Sequence, residues 1–240
     1  MRERHVGPRV IIRMQPDQIK LELDEGLRVS GLFMKPNTAK AMLVFAHGAG
    51  AGMTHTFMED VAQGLADRGI ATLRFNFPFM EARAGKRWGR PNTAAIAHAA
   101  VRAALIEAQK LTPDLPLFAG GKSYGARMTS QMQGQDAFPC VRGLIFLGFP
   151  LHAAKKPSVA RAEHLSRVGE PMLFIQGTRD ALAEISLLRA TCASLKGATL
   201  HVIDGADHGF HMLARSGRKY ADIVEEICKV IDGWVQHADP

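Results

Sequence analysis

Long apolar runs place the strongest restriction on how this chain can fold. The segments AMLVFAHG, VRGLIFLGF and PMLFIQG are apolar almost without interruption, which is typical of strands buried on both faces of a sheet. Segments with apolar residues at helical spacing separate them. Because strands that alternate with helices form parallel sheets, the sequence predicts an α/β fold, with helices on both faces of a mostly parallel sheet.

The amino-terminal part of the chain has a different pattern. RVIIRM, QIKLEL and RVSGLFMKP follow one another with only turn residues between them, so we expect neighbouring antiparallel strands there. Further strands are predicted at IATLRFNF, LPLFAGG and ATLHVID. No repeat or linker divides the chain, and we expect one domain over residues 1–240.

The helices are predicted from apolar periodicity and end signals. Thr56 and Glu59 have capping-box spacing, so the first helix is expected to begin at Thr56 and to end at Gly69. The other predicted helices are Pro91–Leu111, Tyr124–Gln133, Ala181–Leu195 and a final one with Ile223, Ile227, Val230, Ile231 and Trp234 on one face.

The cysteines and the lengths of the apolar runs bear on location. Cys140, Cys192 and Cys228 lie far apart and form no C-x-x-C pair, so we expect neither a disulfide framework nor a zinc site. The amino-terminal segment lacks the apolar core of a signal peptide. No apolar run reaches the roughly 18 residues of a membrane helix. The sequence therefore predicts a soluble, cytoplasmic protein with no membrane partner.

The chain is basic, with a formal net charge of +7 at pH 7. Such a charge permits affinity for anionic partners, but scattered, solvated Lys and Arg side chains are the simpler interpretation. No nucleic-acid-binding motif accompanies the charge, so no nucleic acid partner is predicted. The sequence does not specify an oligomeric state.

The segment PLFAGGKSYGAR, Pro116–Arg127, matches parts of two different motifs. A phosphate-binding loop needs a glycine five residues before the one that precedes Lys-Ser, and Pro116 stands at that position. The residues between are strand-like, which leaves no loop to wrap a phosphate. Gly121 to Gly125 also form G-x-S-x-G between a predicted strand and a predicted helix, the context of a nucleophile elbow. The second interpretation makes Ser123 the nucleophile.

A serine nucleophile needs a base, and the base needs an orienting acid. Asp180 follows the strand PMLFIQG and His208 follows the strand ATLHVID, in the chain order Ser, Asp, His. The carboxyl ends of parallel strands meet at one edge of the sheet, so we expect the three side chains to lie together. Asp204 and Asp207 compete for the acid role but rank below Asp180. Individually, Asp180 could cap the following helix and His208 could be a surface histidine.

An acyl-transfer site also needs donors for the negative charge of the tetrahedral intermediate. The backbone N–H of Tyr124, after the nucleophile, is predicted as one donor. The second is expected from HGAGAG, residues 47–52, with Ala49 as first choice and Gly50 as second. His47 is interpreted as structural. His208 and His211 have no third ligand in the sequence pattern, so no metal is predicted.

The order of HGAG, GKSYG, QGTRD and DHGF resembles the serine α/β-hydrolase superfamily. Within it the chain is most similar to small dienelactone-hydrolase-like and KAN-like members, which have little or no lid. FNFPFMEARAGK and PLHAAKKPSVARAEHL add to the likeness with the KAN-like group. The resemblance implies an α/β-hydrolase fold with about eight strands and a minimal lid. Dienelactone hydrolases proper use a cysteine where this chain has Ser123, so their specific activity is not implied.

Two basic segments follow strand ends on the predicted catalytic side. Phe77–Arg90 contains Arg83, Lys86, Arg87 and Trp88, and Leu151–Arg167 contains Lys155, Lys156, Arg161 and Arg167. We predict that Arg83, Lys86, Arg87 and Trp88 contact substrate and favour anionic molecules, while charged loops that only aid solubility are an equal alternative.

Together these patterns predict a serine hydrolase that cleaves a carboxylic ester or thioester of a small molecule, without a cofactor or metal. The alternative is a hydrolase-like protein that serves as a binding or scaffold module.

Overall fold

The computed structural model describes residues 13–23, 26–81, 91 and 93–238. The strands in this part are Asp17–Glu22 (β1), Arg28–Met34 (β2), Ala41–Ala46 (β3), Ile70–Phe75 (β4), Leu117–Lys122 (β5), Val141–Leu147 (β6), Met172–Gly177 (β7) and Ala198–Ile203 (β8). They form one sheet in the order β1-β2-β4-β3-β5-β6-β7-β8.

The sheet is parallel except at its amino-terminal strands. β2 pairs antiparallel with β1, as the closely spaced first strands predicted, and it also pairs antiparallel with β4, which was not predicted. From β4 through β3, β5, β6 and β7 to β8 every pairing is parallel. β3 and β7 are buried along their whole length, which explains their unbroken apolar sequences.

Helices cover both faces of the sheet. They are Thr56–Ala66 (α1), Pro78–Glu81 (α2), Ala94–Leu111 (α3), Tyr124–Gln135 (α4), Ile185–Ser194 (α5) and Tyr220–Val235 (α6). On one face Phe57 of α1 and Ile227 of α6 pack in the same apolar cluster as Phe45 of β3. On the other face Val101 of α3 and Met128 of α4 belong to a second cluster. The predicted fold class is confirmed.

The segments at the carboxyl edge of the parallel strands are short. Among the described residues, the connection from β6 to β7 contains only a 3-10 helix, Ala160–Arg167, and α2 follows β4. The fold therefore has a minimal lid, as predicted. No helix in the described part of the chain is both long and apolar enough to cross a membrane.

Three local predictions were wrong or incomplete. Of the RVIIRM segment, Arg13 and Met14 lie outside any strand, and the rest lies outside the described residues. Thr56 begins α1 but does not cap it, because the Nδ1 atom of His55 accepts the hydrogen bond from the backbone N–H of Phe57. α5 begins at Ile185 and not at Ala181, since residues 181–184 form a turn after Asp180. The single-domain assignment stays a prediction, supported by the continuity of the sheet.

Candidate active site

Ser123 lies in a sharp turn between β5 and α4. Its φ is +53° and its ψ is −110°, a backbone conformation that side-chain-bearing residues rarely adopt. The surrounding structure holds this conformation: the N–H of Ser123 donates to the carbonyl of Leu147 at 3.0 Å, and its carbonyl accepts from the N–H of Arg127 at 3.1 Å. The strained turn has the geometry of a nucleophile elbow.

The glycines on either side of Ser123 allow the elbow to approach β3. A Cβ atom on Gly121 would lie 2.3 Å from the carbonyl oxygen of Ala46, and one on Gly125 would lie 2.4 Å from the same atom. The G-x-S-x-G pattern is therefore required by contact with the backbone of β3.

The side chains of Ser123, His208 and Asp180 form a continuous hydrogen-bonded chain. The Nε2 atom of His208 lies 2.9 Å from Oγ of Ser123, and its Nδ1 atom lies 2.7 Å from Oδ2 of Asp180. A carboxylate only accepts, so the Nδ1–H of His208 donates to Asp180. In this tautomer Nε2 is free to accept the hydroxyl proton of Ser123. The structure thus places Ser123, Asp180 and His208 together, as the sequence analysis expected.

The environment of Asp180 distinguishes it from the other acidic candidates. Its side chain is fully buried, and it also accepts from Nε2 of Gln176 at 2.6 Å and from the N–H of Leu182 at 2.8 Å. Asp204 instead accepts from the hydroxyl of Thr178. Asp207 accepts from backbone N–H groups within its own loop. Gln176 was not singled out from the sequence, because an amide at the end of an apolar strand has no distinctive pattern.

The predicted donors for an oxyanion lie beside the serine. Tyr124 is the first residue of α4, and Ala49 and Gly50 line the same cavity as Ser123. His47 anchors the start of this loop, since its ring nitrogens lie 2.7 Å from the carbonyl of Gly48 and 3.0 Å from the N–H of Phe77. That geometry agrees with a structural role for His47, and the oxyanion assignment stays a prediction.

A comparison with protein families decides the assignment of this fold. A family model described as an alpha/beta hydrolase domain matches residues 39–236. The chain belongs to the alpha/beta hydrolase family. The predicted superfamily is confirmed, and membership assigns the chain to the hydrolases.

Solved structures share the fold of this hydrolase at low sequence identity. Dienelactone hydrolase from Anabaena variabilis is 19% identical with a TM-score of 0.73, over 94% of this chain and 98% of that one. A serine hydrolase without a lid from Xanthomonas campestris is 19% identical with a TM-score of 0.69, over 92% and 95%. Est1E from Butyrivibrio proteoclasticus is 14% identical with a TM-score of 0.70, over 92% and 98%. These neighbours are of the predicted dienelactone-hydrolase-like and lid-poor kind.

The cavity next to Ser123 in this hydrolase has a volume of about 670 Å³. The residues that line it are 48–51, His55, Thr56, Phe57, Met58, Lys122, Ser123, Leu182, His208, Gly209, His211 and Tyr220. Burial and the nearby Asp60 carboxylate raise the pKa of Tyr220 to about 12, so its hydroxyl stays protonated. The described wall is mainly apolar and contains no carboxylate side chain.

A larger groove of about 880 Å³ lies at the opposite edge of the sheet. Leu117 and Val141, the first residues of β5 and β6, line it. Ligands of open α/β sheets bind at the carboxyl ends of the strands, where Ser123 lies, so the smaller cavity is the candidate site.

The basic residues predicted to contact substrate are not found in the described cavity wall. Arg83, Lys86, Arg87 and Trp88 lie outside the described residues. Lys155 and Lys156 are exposed and do not line the cavity. In the same segment, Arg161 donates to the backbone carbonyl of His152. The described residues hold no cluster of three metal-ligating side chains.

The hydrolase contains a second serine–histidine contact, which has a different character. Nε2 of His164 lies 2.8 Å from Oγ of Ser130, whose hydroxyl donates to the carbonyl of Arg127. Burial, with the charges of Arg127 and Arg167, lowers the pKa of His164 to about 4. The neutral ring therefore donates to Ser130 and links the 3-10 helix to α4.

Gly125→Ala is expected to lower the free energy of unfolding by about 3 kcal/mol, because the added methyl group would push α4 away from β3. Its Cβ would lie 2.4 Å and 2.7 Å from two backbone oxygens of residues 46 and 47. Urea denaturation measures the loss. The matched control is Gly233→Ala in α6, where a Cβ meets nothing within 4 Å. Equal stability of the two variants would contradict the tight packing of the elbow.

Proposed function

We propose that this hydrolase cleaves a carboxylic ester or thioester of a small molecule through an acyl-enzyme formed on Ser123. The main support for the proposal is the hydrogen-bonded chain at the carboxyl edge of the sheet. His208 lies 2.9 Å from Ser123 and 2.7 Å from Asp180. This is the arrangement that turns a weak hydroxyl nucleophile into a reactive one.

The chemistry begins with attack of Oγ of Ser123 on the substrate's acyl carbon, while its proton passes to Nε2 of His208. The buried carboxylate of Asp180 holds the imidazole in the required tautomer and stabilises the imidazolium that forms. His208 then returns the proton to the departing alcohol or thiol as the acyl–oxygen or acyl–sulfur bond breaks. Water, activated by the same imidazole, releases the acid and restores Ser123.

The oxyanion formed in both steps requires donors on the other side of the acyl carbon. The backbone N–H of Tyr124 and that of Ala49 are our assignment, with Gly50 as the alternative to Ala49. Each such donor typically stabilises the transition state by about 3–4 kcal/mol. The position of Tyr124 at the start of α4 supports the assignment, because the helix dipole adds positive potential there.

The cavity wall favours an apolar acyl or aryl group on the substrate. Phe57, Met58 and Leu182 contribute apolar surface next to Ser123. A volume of about 670 Å³ accommodates a small molecule and not a folded protein segment. Among the structural neighbours, Est1E has been solved with ferulic acid, an aromatic acid, bound.

A panel of p-nitrophenyl esters and acyl thioesters tests the proposed reaction. We expect the highest kcat/KM for short apolar or aromatic acyl groups, and hydrolysis to require Ser123. Absence of turnover above background across the whole panel would contradict an esterase or thioesterase, and would favour the binding or scaffold alternative.

The anionic preference predicted for Arg83, Lys86, Arg87 and Trp88 is tested separately. Matched neutral and anionic esters are compared over a range of salt concentrations. Electrostatic steering predicts a higher kcat/KM for the anionic ester that is lost as salt is raised. Equal values at low salt would leave the basic segments as solvated surface.

A further inference from the structure

Lys122 immediately precedes the proposed nucleophile, yet its ammonium group contacts the segment that carries the base. Its Nζ atom lies 2.5 Å from the backbone carbonyl oxygen of His208. Lys122 ends β5 and Ser123 follows it directly. One short stretch of chain therefore supplies the nucleophile and a hydrogen bond to the backbone of its base.

Gly148 and Phe210 lie close to the ammonium group of Lys122. Gly148 adopts a φ of +62°, and a Cβ at this position would lie 2.9 Å from Nζ of Lys122. The ring of Phe210 lies on another side, with its centroid 5.3 Å from Nζ. Lys122 is thus held beside His208 and does not extend into solvent as a surface lysine would.

Among the described contacts, few others connect the loop that carries His208 to the strand that presents Ser123. Asp207 accepts from the N–H groups of Gly209 and His211, so it shapes the loop from within. Phe210 stacks on Phe57 with centroids 5.4 Å apart, which ties the loop to α1. Only the contact from Lys122, among those described, joins the backbone of His208 to the strand that presents Ser123.

We propose that Lys122 is a positioning residue for the base: its ammonium group holds the backbone carbonyl of His208 and so keeps the imidazole in line with Oγ of Ser123. This inference rests on the proposed function of the site. Misplacement of a reacting group by about 1 Å can lower a rate by about 10²-fold. A hydrogen bond that fixes the position of the base therefore has a large effect on turnover.

The charge of Lys122 contributes to the strength of this tie. Burial lowers its pKa to about 8, and the carboxylates of Asp180 and Asp207 partly oppose that shift. Among the described contacts, the carbonyl of His208 and the ring of Phe210 also face it. Below pH 8 the group is an ammonium, whose hydrogen bonds are about twice as strong as those of a neutral donor. We therefore expect kcat of the wild type to decline as pH rises through about 8.

Two substitutions separate the hydrogen bond from the charge. Lys122→Met removes both and is expected to lower kcat by about 10²-fold with little change in KM. Lys122→Gln keeps a neutral donor, so it should lose less activity and should lack the decline near pH 8. Lys196→Met, at an exposed lysine, is the control and should match the wild type. The melting temperature of Lys122→Met should not fall, because the substitution removes a desolvated charge.

The outcomes distinguish this inference from the proposed function. Suppose that the wild type is active and requires Ser123. If both Lys122 variants then keep the wild-type kcat and the wild-type decline of kcat above about pH 8, the positioning role is overturned and the proposed function is not. A fall in the melting temperature of Lys122→Gln in parallel with its kcat would also overturn it, because it would indicate a structural role. If Lys122→Met does not fold, Lys122→Gln decides through its pH profile. A wild type that hydrolyses no ester or thioester contradicts the proposed function itself.

Discussion

Replacement of Ser123 by alanine is expected to lower kcat/KM for a good ester substrate by about 10⁴-fold or more. The variant lacks the Oγ atom that lies 2.9 Å from Nε2 of His208, so no acyl-enzyme can form on residue 123. The backbone turn at residue 123 is held by hydrogen bonds from main-chain atoms, which alanine keeps. The melting temperature should therefore stay close to that of the wild type.

Ser194→Ala is the matched control for this experiment. Ser194 is exposed at the end of α5, and its hydroxyl donates to the carbonyl of Thr191. It should keep the wild-type kcat/KM. Residual activity of Ser123→Ala within tenfold of the wild type would show that the hydrolysis does not pass through Ser123, whatever the background rate in buffer.

The second large effect is expected for Asp180→Asn, at about 10⁴-fold in kcat. Oδ2 of Asp180 accepts from both His208 and Gln176, and Oδ1 accepts from the N–H of Leu182. An amide must turn its NH₂ group towards one of these donors. It therefore either disrupts the turn at Leu182 or favours the imidazole tautomer that cannot accept the proton of Ser123.

Asp204→Asn provides the comparison for the acid. Asp204 lies in the loop of the base but accepts from the hydroxyl of Thr178 and makes no described contact with His208. We expect near wild-type kcat for Asp204→Asn. A loss as large as that of Asp180→Asn would contradict the assignment of Asp180 as the orienting acid.

The segments that form the buried strands and the location of the elbow could be predicted from the sequence for clear physical reasons. Unbroken apolar runs identify strands buried on both faces, as in β3 and β7. The glycines at 121 and 125 are needed because the backbone of β3 lies against them. Parallel strands then bring Asp180 and His208, which are distant in sequence, to the same edge of the sheet as Ser123.

Contacts that depend on local competition or on three-dimensional packing could not be predicted in the same way. Capping statistics favour Thr56, but the ring of His55 reaches the free N–H group at the start of α1. The turn that orients Asp180 occupies residues 181–184, which delays α5. The contact of Lys122 with His208 joins residues 86 positions apart, and no pattern in the sequence around either of them indicates it.

Covalent labelling with a fluorophosphonate, followed by intact-mass measurement and peptide mapping, tests directly whether Ser123 is an activated nucleophile. We expect one adduct per wild-type chain, located on Ser123, and no adduct on Ser123→Ala. Asp180→Asn and His208→Ala should label far more slowly, because the serine is then not activated. A wild-type protein that stays unlabelled, or a Ser123→Ala variant that labels as fast as the wild type, would contradict a Ser123 nucleophile.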